Sequence, residues 1–165
     1  MAALATRILT ARAMAQKIIV MAGSGQFDLP RLHAVAADFG FEVETAPDLS
    51  DLPTTAAAVL FHRDAFGPVC SWFDAIGLLR ARVPDARLIP CLGFSEAIDW
   101  DALTDDGAYH ALWLPLRESE LRQCLGFVWD SEQHPALVEF NRIFPGRSHS
   151  PSHSPASIHS SGRAA

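Results

Sequence analysis

The sequence predicts one α/β domain, a parallel five-stranded sheet with helices on both faces. Short apolar runs rich in β-branched residues alternate with segments whose apolar residues recur every three or four positions. The chain has 165 residues, 49% of them hydrophobic and 19% charged, which is enough apolar material for the core of one domain. Alternating strands and helices imply right-handed crossovers between parallel strands.

Five segments have the character of strands. Four are apolar runs typical of buried parallel strands, whereas residues 41–45 alternate apolar and polar side chains as an edge strand does. Pro90 lacks a backbone donor and indicates a bulge or an edge within the fourth predicted strand. The predicted strands are residues 17–22, 41–45, 56–62, 87–92 and 109–114.

Helices are predicted between these strands from apolar stripes at helical spacing. The first helix ends at Gly40, the second ends near Pro84, and a short helix is expected over residues 95–103. We expect five helices in strict alternation with the five strands, and hence the flavodoxin-like strand order 2-1-3-4-5 in a three-layer sandwich. The clearest stripes are Leu29, Leu32, Val35, Ala36 and Phe39, then Val69, Trp72, Phe73, Ile76 and Leu79, and finally Leu121, Cys124, Leu125 and Val128.

Charge and composition exclude several classes of protein. All 19 acidic residues lie between Asp28 and Glu139, where seven arginines oppose them, so this region carries −12 against −6 for the whole chain. Because an acidic body repels phosphate backbones, no nucleic-acid partner is expected. No run approaches the roughly 18 apolar residues of a membrane span, so we expect a cytoplasmic protein without a membrane partner. The three cysteines form no CxxC pair and are predicted to be reduced core thiols.

The two ends of the chain differ from the middle in composition. Residues 1–16 are rich in alanine and arginine and are predicted to be a flexible extension, within which Met14 is an alternative start to Met1. Residues 17–132 form the predicted domain. Residues 133–165 are rich in serine, histidine and proline and are predicted to be disordered, because they cannot bury enough apolar surface. Their histidines have no fixed geometry for a metal.

The last predicted strand carries the motif that suggests a family. The sequence GAYHALWLPL at residues 107–116, followed by RESEL, resembles the segment Gly-Ala-x-x-x-Leu-x-Lys-Pro-Phe and the polar helix start of bacterial response-regulator receiver domains. Residues 17–130 can be aligned with a CheY-like receiver. The resemblance implies phosphorylation of an aspartate after the third strand, an acidic pair for Mg²⁺ after the first, a hydroxyl after the fourth, and a lysine before the proline of the fifth.

The chain departs from that family at each of those positions. The acidic pair falls within Ala22, Gly23 and Ser24, and His62 occupies the phosphoacceptor position. Leu92 stands at the hydroxyl position and Leu114 at the lysine position. Lys17 is the only lysine in the protein, so no other lysine supplies the missing ammonium group. We therefore expect a degenerate receiver, or pseudo-receiver, that is not an enzyme, binds no metal or cofactor, and signals through protein–protein contact.

The resemblance also implies where a partner binds. In receivers the fourth helix, fifth strand and fifth helix form the usual dimer and output surface. Aromatic residues at these positions either anchor a protein interface or cover the hydrophobic core, and the sequence is compatible with both interpretations. We expect a protein partner or self-association through the last strand and helix. The aromatic residues concerned are Trp100, Trp113, Phe127 and Trp129.

Two other functions remain open. A small α/β hydrolase or ligand-binding module would use Ser24, His62 and Cys91, although the G-x-S-x-G elbow is absent. A phosphorelay carrier would accept a phosphoryl group on His62, with Asp64 two residues further on. The phosphorelay alternative lacks an acidic pair after the first strand to hold Mg²⁺.

Overall fold

The computed structural model describes residues 17–23, 27–68, 70–94, 96 and 99–134. The chain divides into one unit of residues 1–133 and a second of residues 134–165. The predicted extension over residues 1–16 lies outside the described residues, and so does the predicted tail beyond His134. All described helices and strands belong to the first unit. None of these helices is long and apolar enough to cross a membrane.

Five parallel strands form one sheet in the predicted order, β2-β1-β3-β4-β5. The prediction of the fold class is therefore confirmed. The last strand is shorter than predicted, although Tyr109 N–H donates to the Leu88 carbonyl at 2.8 Å, so the segment before it already runs beside β4. The strands are β1 (Lys17–Met21), β2 (Glu42–Thr45), β3 (Ala58–Phe61), β4 (Arg87–Gly93) and β5 (Leu112–Leu114).

Within the described residues four helices cover the sheet, and three of them begin at side chains that accept hydrogen bonds from the first turn. Asp28 accepts from Arg31 N–H, and Asp99 accepts from Asp101 and Ala102 N–H. Ser71 and Asp74 form a reciprocal capping box. The helices are α1 (Leu29–Asp38), α2 (Trp72–Arg82), α3 (Trp100–Asp105) and α4 (Glu118–Gln133).

The structure differs from strict alternation at the connection between β2 and β3. A single 3-10 turn, Leu49–Asp51, stands where a fifth helix was expected. Pro47 and Pro53 bracket this turn, and proline inside a helix removes a backbone donor and clashes with the preceding turn. Leu52 is buried in place of a helix, and its carbonyl accepts a hydrogen bond from Arg82 Nε at 3.1 Å.

The sheet separates two apolar layers. Because successive side chains of a strand face opposite sides, Ile18 and Val20 enter one layer while Ile19 and Met21 enter the other. The first layer is covered by α1 and α4, and the second by α2, α3 and Leu52. The parallel arrangement brings the carboxyl ends of all five strands to one edge of the sheet, termed here the carboxyl edge.

Candidate functional site

The predicted site residues stand at the carboxyl edge in the order the sequence indicated. Gly23 follows β1, His62 follows β3, Leu92 is the penultimate residue of β4, and Leu114 ends β5. Ser24 lies outside the described residues. Neighbouring strands are in register at this edge, since Leu92 pairs with Trp113 and Gly93 with Leu114.

Gly23 is in direct backbone contact with the loop that follows β3. Its φ of +53° is in the left-handed region, where side chains other than glycine are disfavoured. A Cβ atom at this position would lie 2.8 Å from the carbonyl carbon of Asp64 and closer still to the amide nitrogen of Ala65. Gly23 and the Asp64–Ala65 peptide therefore meet backbone to backbone, and no side chain fits at position 23.

His62 closes β3 and begins the 3-10 turn Arg63–Phe66. Its backbone N–H donates to the Met21 carbonyl at 2.9 Å, which continues the pairing of β1 with β3. Its Nδ1 accepts a hydrogen bond from Asp64 N–H at 3.4 Å, and the ring packs edge-on against Trp72 at a centroid distance of 6.2 Å. The imidazole is thus held mostly buried as the cap of a turn.

An ion pair joins the loops after β3 and β4. Arg63 Nε lies 3.0 Å from Glu96 Oε1, and Glu96 Oε2 accepts a hydrogen bond from Gly93 N–H at 3.0 Å. The guanidinium also lies over the ring of Trp72, 5.9 Å from its centroid. Sequence reasoning missed both partners, because the spacing of Arg63 and Glu96 has no pattern. The only available signal was their position just after two adjacent parallel strands.

The remaining predicted positions offer no polar group to a ligand. Leu92 is fully buried, and Leu114, which precedes a cis peptide bond to Pro115, packs against the layer under α1 and α4. Among the described residues, no group of three or more histidine, cysteine, aspartate or glutamate side chains is arranged to hold a metal.

Cys91 does not join His62 in a site. The Cys91 thiol is fully buried in the layer under α1 and α4, where it approaches the Ile89 carbonyl. Burial raises the pKa of Cys91 well above its ordinary value, and the neighbouring Cys124 raises it further. Burial also raises the pKa of Cys124 to about 12. Because the thiolate is the nucleophile, these cysteines are inert near neutral pH.

Comparison with known proteins identifies the fold. No family model and no curated protein matches the chain. The structure of NtrX from Brucella abortus matches with a TM-score of 0.58 at 16% identity over 83% of this chain and 32% of that one. The isolated receiver domain of the same protein matches with a TM-score of 0.52 at 14% identity over 70% and 98% of the two chains. The chain has the receiver-domain fold.

A third structure extends this likeness. The beryllofluoride-activated NtrC4 receiver domain dimer matches with a TM-score of 0.51 at 15% identity, over 71% of this chain and 98% of that one. The chain thus spans about a third of NtrX but nearly all of the isolated receiver domains. The predicted resemblance to a CheY-like receiver is confirmed at the level of the fold.

One side of the domain carries a cluster of stacked aromatic side chains. The ring of Trp113 stacks on Phe94 at 5.8 Å with an interplanar angle of 8°, and Trp100 meets it edge-on at 6.0 Å. Phe94 is 66% exposed and Trp100 45% exposed. Further along, Tyr109 Oη donates to the Phe127 carbonyl at 3.1 Å. The aromatic face is defined here as Phe94, Trp100, Tyr109, Trp113 and Phe127.

The four aromatic residues predicted for a partner surface do not all lie together. Trp100 and Phe127 are exposed on the aromatic face, where Trp113 is half-buried between neighbours. Trp129 is also exposed, but on a different face of α4. Residues three apart share a helix face, and Gly126, three residues before Trp129, lies against Phe39 next to α1. Trp129 therefore occupies the other flank of α4. Phe94 and Tyr109 were not predicted for this surface, because Phe94 follows the predicted fourth strand and Tyr109 was counted among the apolar residues of the predicted fifth strand.

Proposed function

We propose that this receiver domain takes part in two-component-type signal transduction by binding a protein partner, without being phosphorylated and without catalysing a reaction. The observation that carries the proposal is the backbone contact of Gly23 with Asp64 and Ala65. Active receivers need space and carboxylates between these two loops for a cation and a phosphoryl group. The close approach of Gly23 to the Asp64–Ala65 peptide, which leaves no room for a carboxylate side chain at position 23, supports the proposal.

The chemistry of the carboxyl edge supports the same conclusion. Magnesium prefers several oxygen ligands, and the described residues at this edge do not fit it, since the strand ends carry Met21, Phe61, Leu92 and Leu114. The only lysine, Lys17, is the first residue of β1 at the opposite edge, where it pairs with Glu44. No described lysine is therefore near enough to neutralise a phosphoryl group.

The arginine that follows His62 is already paired. The Arg63 guanidinium binds Glu96 and lies over Trp72, so its charge is compensated within the domain. This ion pair spans the loops after β3 and β4, which are loops that bind the phosphoryl group in active receivers. We infer that it holds the site in one arrangement, and that the domain signals by its presence or abundance instead of by its phosphorylation.

A partner surface completes the proposal. The aromatic face exposes large apolar rings, which are favoured anchors at protein interfaces. It lies around β5 and α4, the region through which receivers contact partners, and the NtrC4 receiver domain to which this fold is similar forms a dimer. A two-component role implies a cytoplasmic location.

The proposal is tested with a small phosphodonor. The full chain is incubated with acetyl phosphate and Mg²⁺ beside an active receiver, and intact mass is measured. We expect phosphorylation of the active receiver and no mass change in this protein. Stoichiometric phosphorylation that disappears in His62→Ala would overturn the proposal in favour of a phosphorelay carrier. Phosphorylation that survives His62→Ala would overturn it by locating another acceptor.

A further inference from the structure

A small groove opens within the aromatic face. It has a volume of about 130 Å³ and is lined by Trp100 and Thr104 of α3 and by Tyr109, His110 and Ala111 before β5. Pockets for free small molecules typically exceed about 300 Å³. This groove instead has the size of a single side chain, so its occupant is expected to be one residue of a partner protein.

The surroundings of the groove are strongly acidic. Trp100 and Thr104 stand one helical turn apart in the lining, and Asp101 and Asp105 form the adjoining row of the same helix. Both carboxylates are exposed, and within the described residues neither has a lysine or arginine partner. Arg80 is the described arginine beside the groove, and its guanidinium donates to the carbonyls of Gly107, Pro84 and Ala86 instead of pairing with Asp101 or Asp105. The other described arginines are engaged elsewhere, in ion pairs or with a backbone carbonyl; they are Arg31, Arg63, Arg82, Arg87, Arg117 and Arg122.

The groove itself contains no competing cation near neutral pH. His110 is its one titratable imidazole, and burial lowers the pKa of that side chain, an effect only partly opposed by Glu120. The imidazole is therefore neutral at pH 7. The combination is an aromatic slot with a neutral lining and negative charge at its rim, which is complementary to a cation.

Arginine fits this combination better than lysine. Its planar guanidinium stacks on aromatic rings and pairs with carboxylates at the same time, whereas the lysine ammonium is compact and strongly hydrated. The same domain already contains such an arrangement, because Arg63 lies over Trp72 while its Nε contacts Glu96 at 3.0 Å. The aromatic face likewise combines aromatic rings with nearby carboxylates, but no arginine of the described residues stacks on these rings.

We propose that the groove binds an arginine side chain of a net-positive segment on a protein partner, with the guanidinium against the aromatic lining and paired with Asp101 or Asp105. This inference rests on the proposed function, because it names the chemistry of the partner that the proposed function requires. It commits the aromatic face to a basic protein segment instead of a second copy of this acidic domain.

The test uses two synthetic peptides with the full chain. One alternates arginine with alanine, and the other is its lysine counterpart of equal length and charge. Binding is followed by calorimetry and by tryptophan fluorescence. We expect the arginine peptide to bind about ten-fold more tightly than the lysine peptide, because stacking adds to charge pairing. Equal binding of both peptides, or no binding of either, would overturn the inference.

Matched variants locate the binding site. Asp101→Asn combined with Asp105→Asn is expected to weaken arginine-peptide binding about ten-fold, and Trp100→Ala to do the same. Asp51→Asn combined with Asp85→Asn changes the net charge equally at exposed positions elsewhere, and should weaken binding less than about two-fold. Equal losses in the two aspartate pairs would mean general charge attraction and would contradict the inference. The exposed aspartate variants keep the test valid should Trp100→Ala unfold the domain.

The two proposals fail in different ways. Phosphorylation of the chain would contradict the proposed function whatever the peptides do. An unphosphorylated chain that does not discriminate arginine from lysine would leave the proposed function standing and remove only the inference about the partner.

Discussion

Arg63 and Glu96 form an ion pair across the carboxyl edge, with Nε 3.0 Å from Oε1. The two residues are unequally exposed, since 41% of the arginine side chain is accessible but only 14% of the glutamate side chain. Glu96 also accepts a hydrogen bond from Gly93 N–H, which anchors it to the end of β4. Removing the arginine therefore leaves a largely buried carboxylate without its counter-charge, whereas removing the carboxylate charge leaves an exposed arginine.

This asymmetry predicts the order of two variants. Arg63→Met is expected to lower the free energy of unfolding by about 2 kcal/mol, and Glu96→Gln by about 1 kcal/mol, because an unpaired buried charge is the more costly state. Urea denaturation measures both values. Arg117→Gln breaks the exposed pair with Glu120 and should change stability by less than about 0.5 kcal/mol. Similar small effects from all three variants would show that the pair does not fasten the loops.

Gly23 permits a second prediction, with a control in the same chain. Gly23→Ala should lower the free energy of unfolding by at least about 2 kcal/mol, because the added Cβ strains a positive φ and also meets the backbone of Asp64 and Ala65. Gly40 has a φ of +77° but nothing within 4 Å of an added Cβ. Gly40→Ala should therefore cost only the conformational strain, about 1 kcal/mol. Thermal or urea unfolding compares them, and equal losses would contradict the loop contact.

His110 predicts how stability depends on pH. Burial lowers the pKa of this imidazole, so the unfolded chain binds its proton more readily than the folded domain does. The stability associated with neutral His110 is complete above the unfolded pKa of about 6.5 and is lost progressively as the pH falls towards the lower folded pKa. His110→Gln should reduce the loss of stability between about pH 7.5 and pH 5. Urea denaturation at several pH values measures this effect.

A matched histidine provides the control. His33 is exposed on α1, and His110→Gln should alter the acid limb of the stability profile more than His33→Gln does. The interpretation of His110 would be wrong if both variants altered the acid limb equally, or if NMR titration gave His110 a pKa above the ordinary value for histidine.

Much of the fold followed from local patterns. Apolar runs located β1, β3 and β4, helical stripes located α1 and α4, and alternation implied the strand order. The connection between β2 and β3 was predicted less well. Alternation favoured a helix there, but Pro47 and Pro53 limit the connection to one turn and leave Leu52 to fill the layer. The two prolines therefore prevented the helix that the alternation of strands and helices had predicted.

The candidate site was predictable only in part. The predicted strand ends identified Gly23, His62, Leu92 and Leu114 as site positions, because functional groups of parallel sheets lie at the carboxyl ends of the strands. The partners that define the geometry, Glu96 for Arg63 and the Asp64–Ala65 peptide for Gly23, had no signal in spacing or composition. The predicted partner surface likewise could not be divided from the sequence, because only the packing of α4 shows that Phe127 and Trp129 lie on two different flanks of this helix.

Local sequence patterns specify most of the helices and strands and their order, because apolar periodicity and turn chemistry act between residues close in the chain. The acidic character of the middle region was also evident without a structure, and so was the presence of Leu114 where receivers have a lysine. Three features became evident only in the folded domain: Gly23 contacts the loop after β3, Arg63 pairs with Glu96, and Trp100 borders a groove on the helix that carries Asp101 and Asp105. The contacts between loops join residues tens of positions apart, and the groove is shaped by two elements packed together, so both depend on strand pairing and on how each loop leaves the sheet.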